Sequence, residues 1–194
     1  MNLNSYLKSS EIVDFNHPSI VNLSKKLIKN ISDKEQIAKI FFQYIRDEIR
    51  HSGDCKDNKT TLKASEVLEY KTGWCYSKSI LLIALLRLNE IPAGFTYQKL
   101  KCDEYIDDTF CIHALVSIYL EKYGWYRVDA RGNKKGVDAQ FTPPIEQLAF
   151  EVNEKKGEID DKTIYTEPVE SVIDALKKNS CYELMINNFP SKIV

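Results

Sequence analysis

The sequence predicts an α+β fold in which a buried central helix, beginning beside a cysteine, packs on an antiparallel sheet. Apolar residues cover nearly the whole circumference of segment 76–88, a pattern typical of a helix buried on all sides. After Pro92 the apolar period changes from 3.6 to 2, and segments rich in β-branched and aromatic residues follow. This change of period indicates strands after the helix.

Two helices are expected in the first fifty residues. Pro18 and the spacing of the apolar residues that follow it predict a helix over residues 17–30. Ser32 and Glu35 form an S-x-x-E capping box ahead of a long apolar face, which predicts a second helix over residues 33–50.

The chain between this second helix and the central one is expected to be less regular. Residues 52–61 are small, polar and glycine-bearing, which predicts a loop, and residues 64–70 can form about two helical turns before Gly73. At the far end of the central helix, Asn89 is expected to be a left-handed cap and Pro92 a stop.

The predicted strands are residues 93–100, 112–120 and 125–130. The last two flank EKYG, residues 121–124, which predicts a hairpin turn.

Beyond the hairpin, residues 131–144 are expected to be a loop and 144–152 an additional strand. Residues 154–161 form a charged turn, and Pro168 begins a helix over residues 167–179.

Length and composition favour one soluble domain spanning residues 1–194. A chain of 194 residues with 43% hydrophobic and 28% charged residues can bury roughly 70% of its unfolded surface. The 27 basic residues balance the 28 acidic ones, so no nucleic-acid partner or membrane surface is expected. The N-terminus lacks a secretion signal, and no apolar run reaches the length of a membrane span, so we expect a cytoplasmic protein.

The cysteines and histidines are arranged for neither a disulfide framework nor a metal site. There are five cysteines and three histidines, with no C-x-x-C or H-E-x-x-H motif. We therefore expect thiols, no metal and no cofactor. The cysteines are Cys55, Cys75, Cys102, Cys111 and Cys181.

Cys75 lies where a thiol is made reactive. It precedes the central helix, and the first turn of a helix has unpaired N–H groups and a partial positive charge that favour a thiolate. The same N–H groups can face the oxygen of a carbonyl under attack. Without further residues, however, a buried cysteine of this kind is more often a packing residue.

A catalytic cysteine usually needs a base and an acceptor that orients the base, and His113 and Asp129 are the candidates. They lie on the two strands of the predicted hairpin. A three-residue turn pairs residue 120 with 124 and places both side chains on one face, whereas a four-residue turn places them on opposite faces. The catalytic interpretation therefore predicts an odd-length turn or a bulge.

The order and spacing of these segments resemble the core of the transglutaminase-like superfamily, a group of papain-related cysteine enzymes. The resemblance covers residues 37–138 and rests on FFQYIRDEIRHSGD, ASEVLEYKTGWCYSKSILLIALLRLNEIPAGF, CIHALVSIYL and GWYRVDARGNKKGVDAQF. The nucleophile of the family falls on Cys75, its histidine on His113 and its aspartate on Asp129. The sequence departs from many members at His51, where they have an aromatic residue, and it has no calcium-binding pattern.

The resemblance implies a papain-like fold and an enzyme acting on a protein, peptide or small amide substrate. Cys75 would form a thioester that water or an amine resolves, giving hydrolysis or acyl transfer. Two alternatives stay open: a binding module that has lost turnover, and an acyl-CoA-dependent amine acetyltransferase-like enzyme. The complete Cys-His-Asp set disfavours the first, and the absence of an obvious acceptor domain disfavours the second.

Several further residues are candidates for a part in the site. Asp138 competes with Asp129 but lies in a predicted loop. The segment DEYIDD, residues 103–108, is more readily a solvated loop than a cation site, because it lacks the glycine of a calcium loop. Candidates for lining the substrate groove are Trp74 and Trp125, and candidates for a second oxyanion donor are Gln43, Tyr44 and His51.

Overall fold

The structure of the protein, a computed structural model, describes residues 2–102, 105–106 and 109–194. Its helices are Pro18–Leu27 (α1), Lys34–Glu48 (α2), Ser52–Cys55 (α3), Ala64–Tyr70 (α4), Cys75–Leu88 (α5), Glu170–Lys178 (α6) and Tyr182–Ile186 (α7). Its strands are Arg50–His51 (β1), Thr72–Gly73 (β2), Ala93–Lys101 (β3), Phe110–Leu120 (β4), Gly124–Val128 (β5) and Ile159–Tyr165 (β6). Short 3-10 helices lie at Leu3–Leu7 and Glu154–Lys156.

The four longer strands form one antiparallel sheet in the order β5-β4-β3-β6. Strands β1 and β2 form a separate parallel pair, in which His51 lies opposite Gly73. The predicted α+β fold with an antiparallel sheet after the central helix is confirmed.

Helix α5 is the centre of the hydrophobic core. Every residue from Cys75 to Arg87 is buried, as the all-round apolar pattern predicted. The helix contacts β3 and β4 of the sheet and also α1, α2 and α4. Its first residue, Cys75, is therefore held by packing along the whole helix.

The hairpin between β4 and β5 has the predicted odd-length turn. Leu120 pairs with Gly124, so three residues form the turn, and the register continues to Val116 opposite Val128. Gly124 has a φ of 77°, a conformation that glycine adopts without steric cost. This register extends to Asp129 on the same face as His113.

The prediction that Ser32 is the N-cap of the second helix is wrong. Asp33, not Ser32, is the N-cap, and its carboxylate accepts a 2.7 Å hydrogen bond from the N–H of Gln36. A charged carboxylate at this position also interacts favourably with the helix dipole. The helix ends at Glu48 rather than at residue 50, because the next residues pair as strand β1.

The left-handed residue after the central helix is Glu90, with a φ of 57°, and not Asn89 as predicted. The Asn89 side chain instead donates to Leu85 O at 2.7 Å and to Ser24 Oγ at 2.9 Å. It therefore ties the helix end to α1, and the chain reverses one residue later.

Three of the less regular segments differ from expectation. The predicted strand at residues 144–152, all of which the structure describes, does not form. Backbone groups of this segment make other hydrogen bonds instead; the N–H of Ala149, for example, donates to the Asp129 side chain. The predicted charged turn at 154–161 overlaps the start of strand β6, which was not predicted. Apolar and polar residues alternate only weakly along this strand. The predicted loop at 52–61 begins with the short helix α3.

Candidate active site

Cys75 is the first residue of α5 and is 8% exposed. Trp74 is the N-cap without a side-chain cap, so the first-turn N–H groups are not satisfied by a capping side chain. Gly73 is required by close packing, since a Cβ there would lie 2.8 Å from the Cβ of Ser77. The G-x-C spacing thus lets the incoming strand β2 lie tightly against the first turn of the helix.

His113 and Asp129 are in direct contact on the hairpin. His113 Nε2 lies 2.6 Å from Asp129 Oδ2, and both side chains are buried. The backbone N–H of Arg131 donates to Asp129 Oδ1 at 3.0 Å, and that of Ala149 donates to Oδ2 at 3.2 Å. Because Nε2 faces Asp129, Nδ1 is the ring nitrogen left for Cys75, which lines the same cavity as His113.

The electrostatics of this group favour a thiolate beside an imidazolium. Burial alone raises the pKa of the Cys75 thiol, but the charge of His113 and hydrogen bonds from His113 and His51 lower it to about 6. Burial alone lowers the pKa of His113, but the charges of Asp129 and Cys75 raise it to about 10. Burial raises the pKa of Asp129, and the charge of His113 outweighs this and lowers it. Between these two pKa values the pair is ionised.

A second histidine, His51, also faces Cys75. It is 8% exposed, lines the same cavity as Cys75, and helps to lower the pKa of the Cys75 thiol. Its Nδ1 lies 3.5 Å from Asp54 Oδ2, longer than an ordinary hydrogen bond, which leaves Nε2 for the cysteine. Of the three oxyanion candidates named from the sequence, His51 is the one that lines the cavity at Cys75; Gln43 is exposed, and the Tyr44 hydroxyl accepts a hydrogen bond from Lys71.

Asp54 joins the His51 side of the site to the Asp129 side. It accepts hydrogen bonds from Arg131 Nη2 at 2.8 Å and from Lys134 Nζ at 2.9 Å. Burial raises the pKa of Asp54, but the nearby His51 side chain, together with hydrogen bonds from Lys134 and Arg131, holds it far below its usual range. Asp54 and Arg131 were not predicted from the sequence. The H-x-x-D and D-x-R spacings at 51–54 and 129–131 are the local signals that point to them.

The competing carboxylate, Asp138, is engaged elsewhere. It accepts hydrogen bonds from Gln140 and Gln147 at the edge of the cavity. Asp129 is the carboxylate in contact with His113.

The sequence profile of the transglutaminase-like superfamily matches residues 21–130. This range includes Cys75, His113 and Asp129 and covers more than half of the chain. The chain belongs to the transglutaminase-like superfamily.

One solved structure resembles this superfamily member in fold, and two others align with it at lower TM-scores. A candidate cysteine protease from Cytophaga hutchinsonii has a TM-score of 0.54 and 20% sequence identity, over 67% of this chain and 42% of that one. A candidate protease from Parabacteroides distasonis has a TM-score of 0.42 and 14% identity, over 73% of this chain and 30% of that one. A structure described as a TGase has a TM-score of 0.43 and 16% identity, over 94% of this chain and 51% of that one.

The chain of this superfamily member thus spans less than half the length of the Cytophaga protein. A comparison with curated proteins gives no significant match.

In this superfamily member Cys75 and His113 line a cavity of about 670 Å³, and Asp129 is fully buried behind His113. Its walls are aromatic on two sides: Trp74 contacts Tyr105 and Phe189, and Phe150 packs edge-on against His113 at 5.1 Å.

Of the two tryptophans that were candidates for lining a substrate groove, Trp74 lines the cavity at Cys75 and Trp125 does not. Trp125 packs against Tyr6 and Tyr119, with ring centroids at 4.8 and 5.6 Å. It belongs to the packing of the hairpin.

In the part of the chain that the structure describes, no group of three or more histidine, cysteine or acidic side chains is arranged to hold a metal ion. Four residues of DEYIDD, the acidic residues 103, 104, 107 and 108, lie outside the described residues. None of the described helices combines the length and hydropathy needed to cross a membrane.

Proposed function

We propose that the protein is a cysteine acyl-transfer enzyme that cleaves an amide bond of a protein, peptide or small amide substrate. The observation that carries this proposal is the hydrogen bond between His113 and Asp129 in the cavity that Cys75, the first residue of a buried helix, also lines. This arrangement supports a thiolate held beside an imidazolium in a cavity large enough for a peptide segment.

In the first step the Cys75 thiolate attacks the amide carbonyl, and the oxygen takes up negative charge. The N–H groups at the start of α5 and the His51 ring nitrogen that faces Cys75 are the donors for this oxygen. The other ring nitrogen of His51, Nδ1, lies 3.5 Å from Asp54 Oδ2. His51 therefore takes the part of the second oxyanion donor.

In the second step the imidazolium of His113 gives its proton to the departing amine, and the carbon–nitrogen bond breaks. Asp129 keeps Nε2 protonated and the ring oriented, so that Nδ1 carries the proton to be transferred. The products are a Cys75 thioester and a free amine.

In the third step His113 accepts a proton from water or from a second amine, which attacks the thioester and regenerates the thiolate. Water yields a carboxylic acid, and an amine yields a new amide. Both outcomes use the same residues, so we propose the shared chemistry, thioester formation from an amide, as the activity of this chain.

The test uses a tryptic digest of casein as the substrate mixture and hydroxylamine as the trapping nucleophile. A thioester reacts with hydroxylamine to give a hydroxamate, which mass spectrometry can locate. Hydroxamates on glutamine side chains would identify a side-chain amide as the substrate, and hydroxamates at new peptide C-termini would identify a backbone amide.

The matched control is Cys75→Ala, which should form no hydroxamate. Two results would contradict the proposal. One is hydroxamate formation that persists in Cys75→Ala; the other is a Cys75 that is readily alkylated but is not acylated by any peptide. The second of these results would instead support a binding module that has lost turnover.

A further inference from the structure

Lys78 is a fully buried lysine three residues after Cys75, on the first turns of α5. The chemistry above gives it no part. A lysine ammonium is rarely buried unless it is paired, because removing a charge from water is costly. A buried lysine so close to Cys75 in the sequence must therefore have partners that offset the cost of burying its charge.

The ammonium group of Lys78 holds the chain that leads to His51. Its Nζ donates to Ile49 O at 2.5 Å and to Arg46 O at 3.3 Å. These carbonyl groups lie at the end of α2, where they have no partner within the helix. His51 follows Ile49 by two residues, so the bond fixes the start of strand β1 against α5.

The turn after Asp129 packs at the same point. Gly132 has a φ of 118°, and a Cβ there would lie 3.3 Å from Arg46 O and 3.4 Å from Lys78 Nζ. The preceding residue, Arg131, donates its backbone N–H to Asp129. The Lys78 ammonium is thus the point where the segments carrying His51, Asp129 and Cys75 meet.

The burial of this group is unfavourable for its charge. Burial and the nearby charge of Arg131 lower the pKa of Lys78 to about 7, and Asp129, Asp54 and Asp47 oppose that change. An apolar residue of similar length would avoid this cost. The hydrogen bonds from Lys78 to the two carbonyl groups therefore explain why a lysine occupies this position.

We propose that Lys78 is a positioning residue of the active site, which holds the His51 segment and the turn after Asp129 in register with the helix that carries Cys75. The proposal rests on Cys75 acting as the nucleophile. It requires no contact between Lys78 and substrate.

The test compares Lys78→Met with Arg87→Met. Arg87 is a matched control, because it is a buried cation on the same helix that also donates to backbone carbonyl groups: those of Ala93, Lys8 and Thr166. The rate of iodoacetamide alkylation at Cys75 is measured against pH by peptide mass spectrometry. This readout needs no substrate and does not follow from stability alone.

In Lys78→Met the alkylation rate at pH 6 should fall by about fivefold or more and the profile should move to higher pH, because His51 and His113 no longer hold the thiolate as closely. In Arg87→Met the profile should match the wild type. Equal profiles in all three proteins, or an equal shift in both variants, would overturn the proposal for Lys78.

If Lys78→Met does not fold, Lys78→Gln gives the same test. Its shorter side chain keeps a neutral donor that does not reach both carbonyl groups, so the profile should shift in the same direction by less. An unchanged profile in Lys78→Gln would overturn the proposal. A wild-type Cys75 that titrates as an ordinary thiol would instead contradict the proposed function itself.

Discussion

The two ends of helix α5 are built alike but have different surroundings. Each end has a buried cation that donates to backbone carbonyl groups: Lys78 near the start and Arg87 near the end. At the start, the helix N-terminus faces the cavity at Cys75. At the far end, Ile91 N–H donates to Leu86 O, so the last turn is closed by the protein's own chain.

From this difference we infer that the start of the helix contributes to the proposed reaction and that the far end contributes to the stability of the fold. Unpaired N–H groups of a helix N-terminus stabilise negative charge where a substrate can approach. Carbonyl groups that the protein satisfies internally offer nothing to a ligand. Changes at the start should therefore alter the reactivity of Cys75, and changes at the far end should alter the free energy of unfolding alone.

The largest effect is expected at the helix start from Cys75→Ala. The variant should lose all thioester formation and keep its fold, because alanine fits the space of the thiol. Hydroxamate formation from casein peptides and the far-ultraviolet circular dichroism spectrum measure the two properties. Cys111→Ala is the control from the same cavity, and equal loss in both variants would show that Cys75 has no special part.

A smaller effect at the same end is expected from Asp129→Asn. The amide keeps an acceptor for the surrounding N–H groups but loses the charge that raises the pKa of His113, so the alkylation rate of Cys75 at pH 6 should fall by about tenfold. The measurement is the pH profile of alkylation. Asp138→Asn should leave that profile unchanged, and a larger shift in Asp138→Asn than in Asp129→Asn would reverse the assignment.

At the far end, Arg87→Met should destabilise the protein without changing Cys75. Three carbonyl groups lose a donor, which costs roughly 2–4 kcal/mol in the free energy of unfolding. Urea unfolding followed by tryptophan fluorescence measures this cost. A variant as stable as the wild type would show that these hydrogen bonds contribute little.

The smallest effect is expected from Glu90→Gly. Glu90 has a φ of 57°, which costs a non-glycine residue some strain, so glycine should raise the free energy of unfolding by about 0.5–1 kcal/mol. The same urea experiment detects the gain. A loss of stability would mean that the Glu90 side chain contributes more than the backbone strain it causes.

The sequence predicted the parts of the fold that depend on local pattern. The all-round apolar pattern identified α5, and parity along two strands identified the odd turn that places His113 beside Asp129. The prediction at Ser32 failed because two neighbouring residues, Ser32 and Asp33, are both good N-caps, and pattern alone does not choose between them.

The rest of the site depends on contacts between distant parts of the chain. The bond from Arg131 to Asp54 joins residues 77 positions apart, and that from Lys78 to Ile49 joins residues 29 positions apart. A buried lysine in an apolar helix gives no sign of its acceptor. Strand β6 was not predicted because its charged residues interrupt the alternation of apolar and polar residues that is typical of a strand.

The measurement that tests the central claim most directly is the pH profile of Cys75 alkylation by iodoacetamide in the wild type and in His113→Ala. An ordinary thiol reacts with a midpoint near ~8.5. The pKa of Cys75 is lowered to about 6 mainly by the charge and hydrogen bond of His113, against the opposing effect of burial. The wild type should therefore react with a midpoint near 6, and His113→Ala should move it to at least that of an ordinary thiol. A wild-type midpoint like that of an ordinary thiol, or one that His113→Ala leaves in place, would contradict a Cys75–His113 catalytic pair.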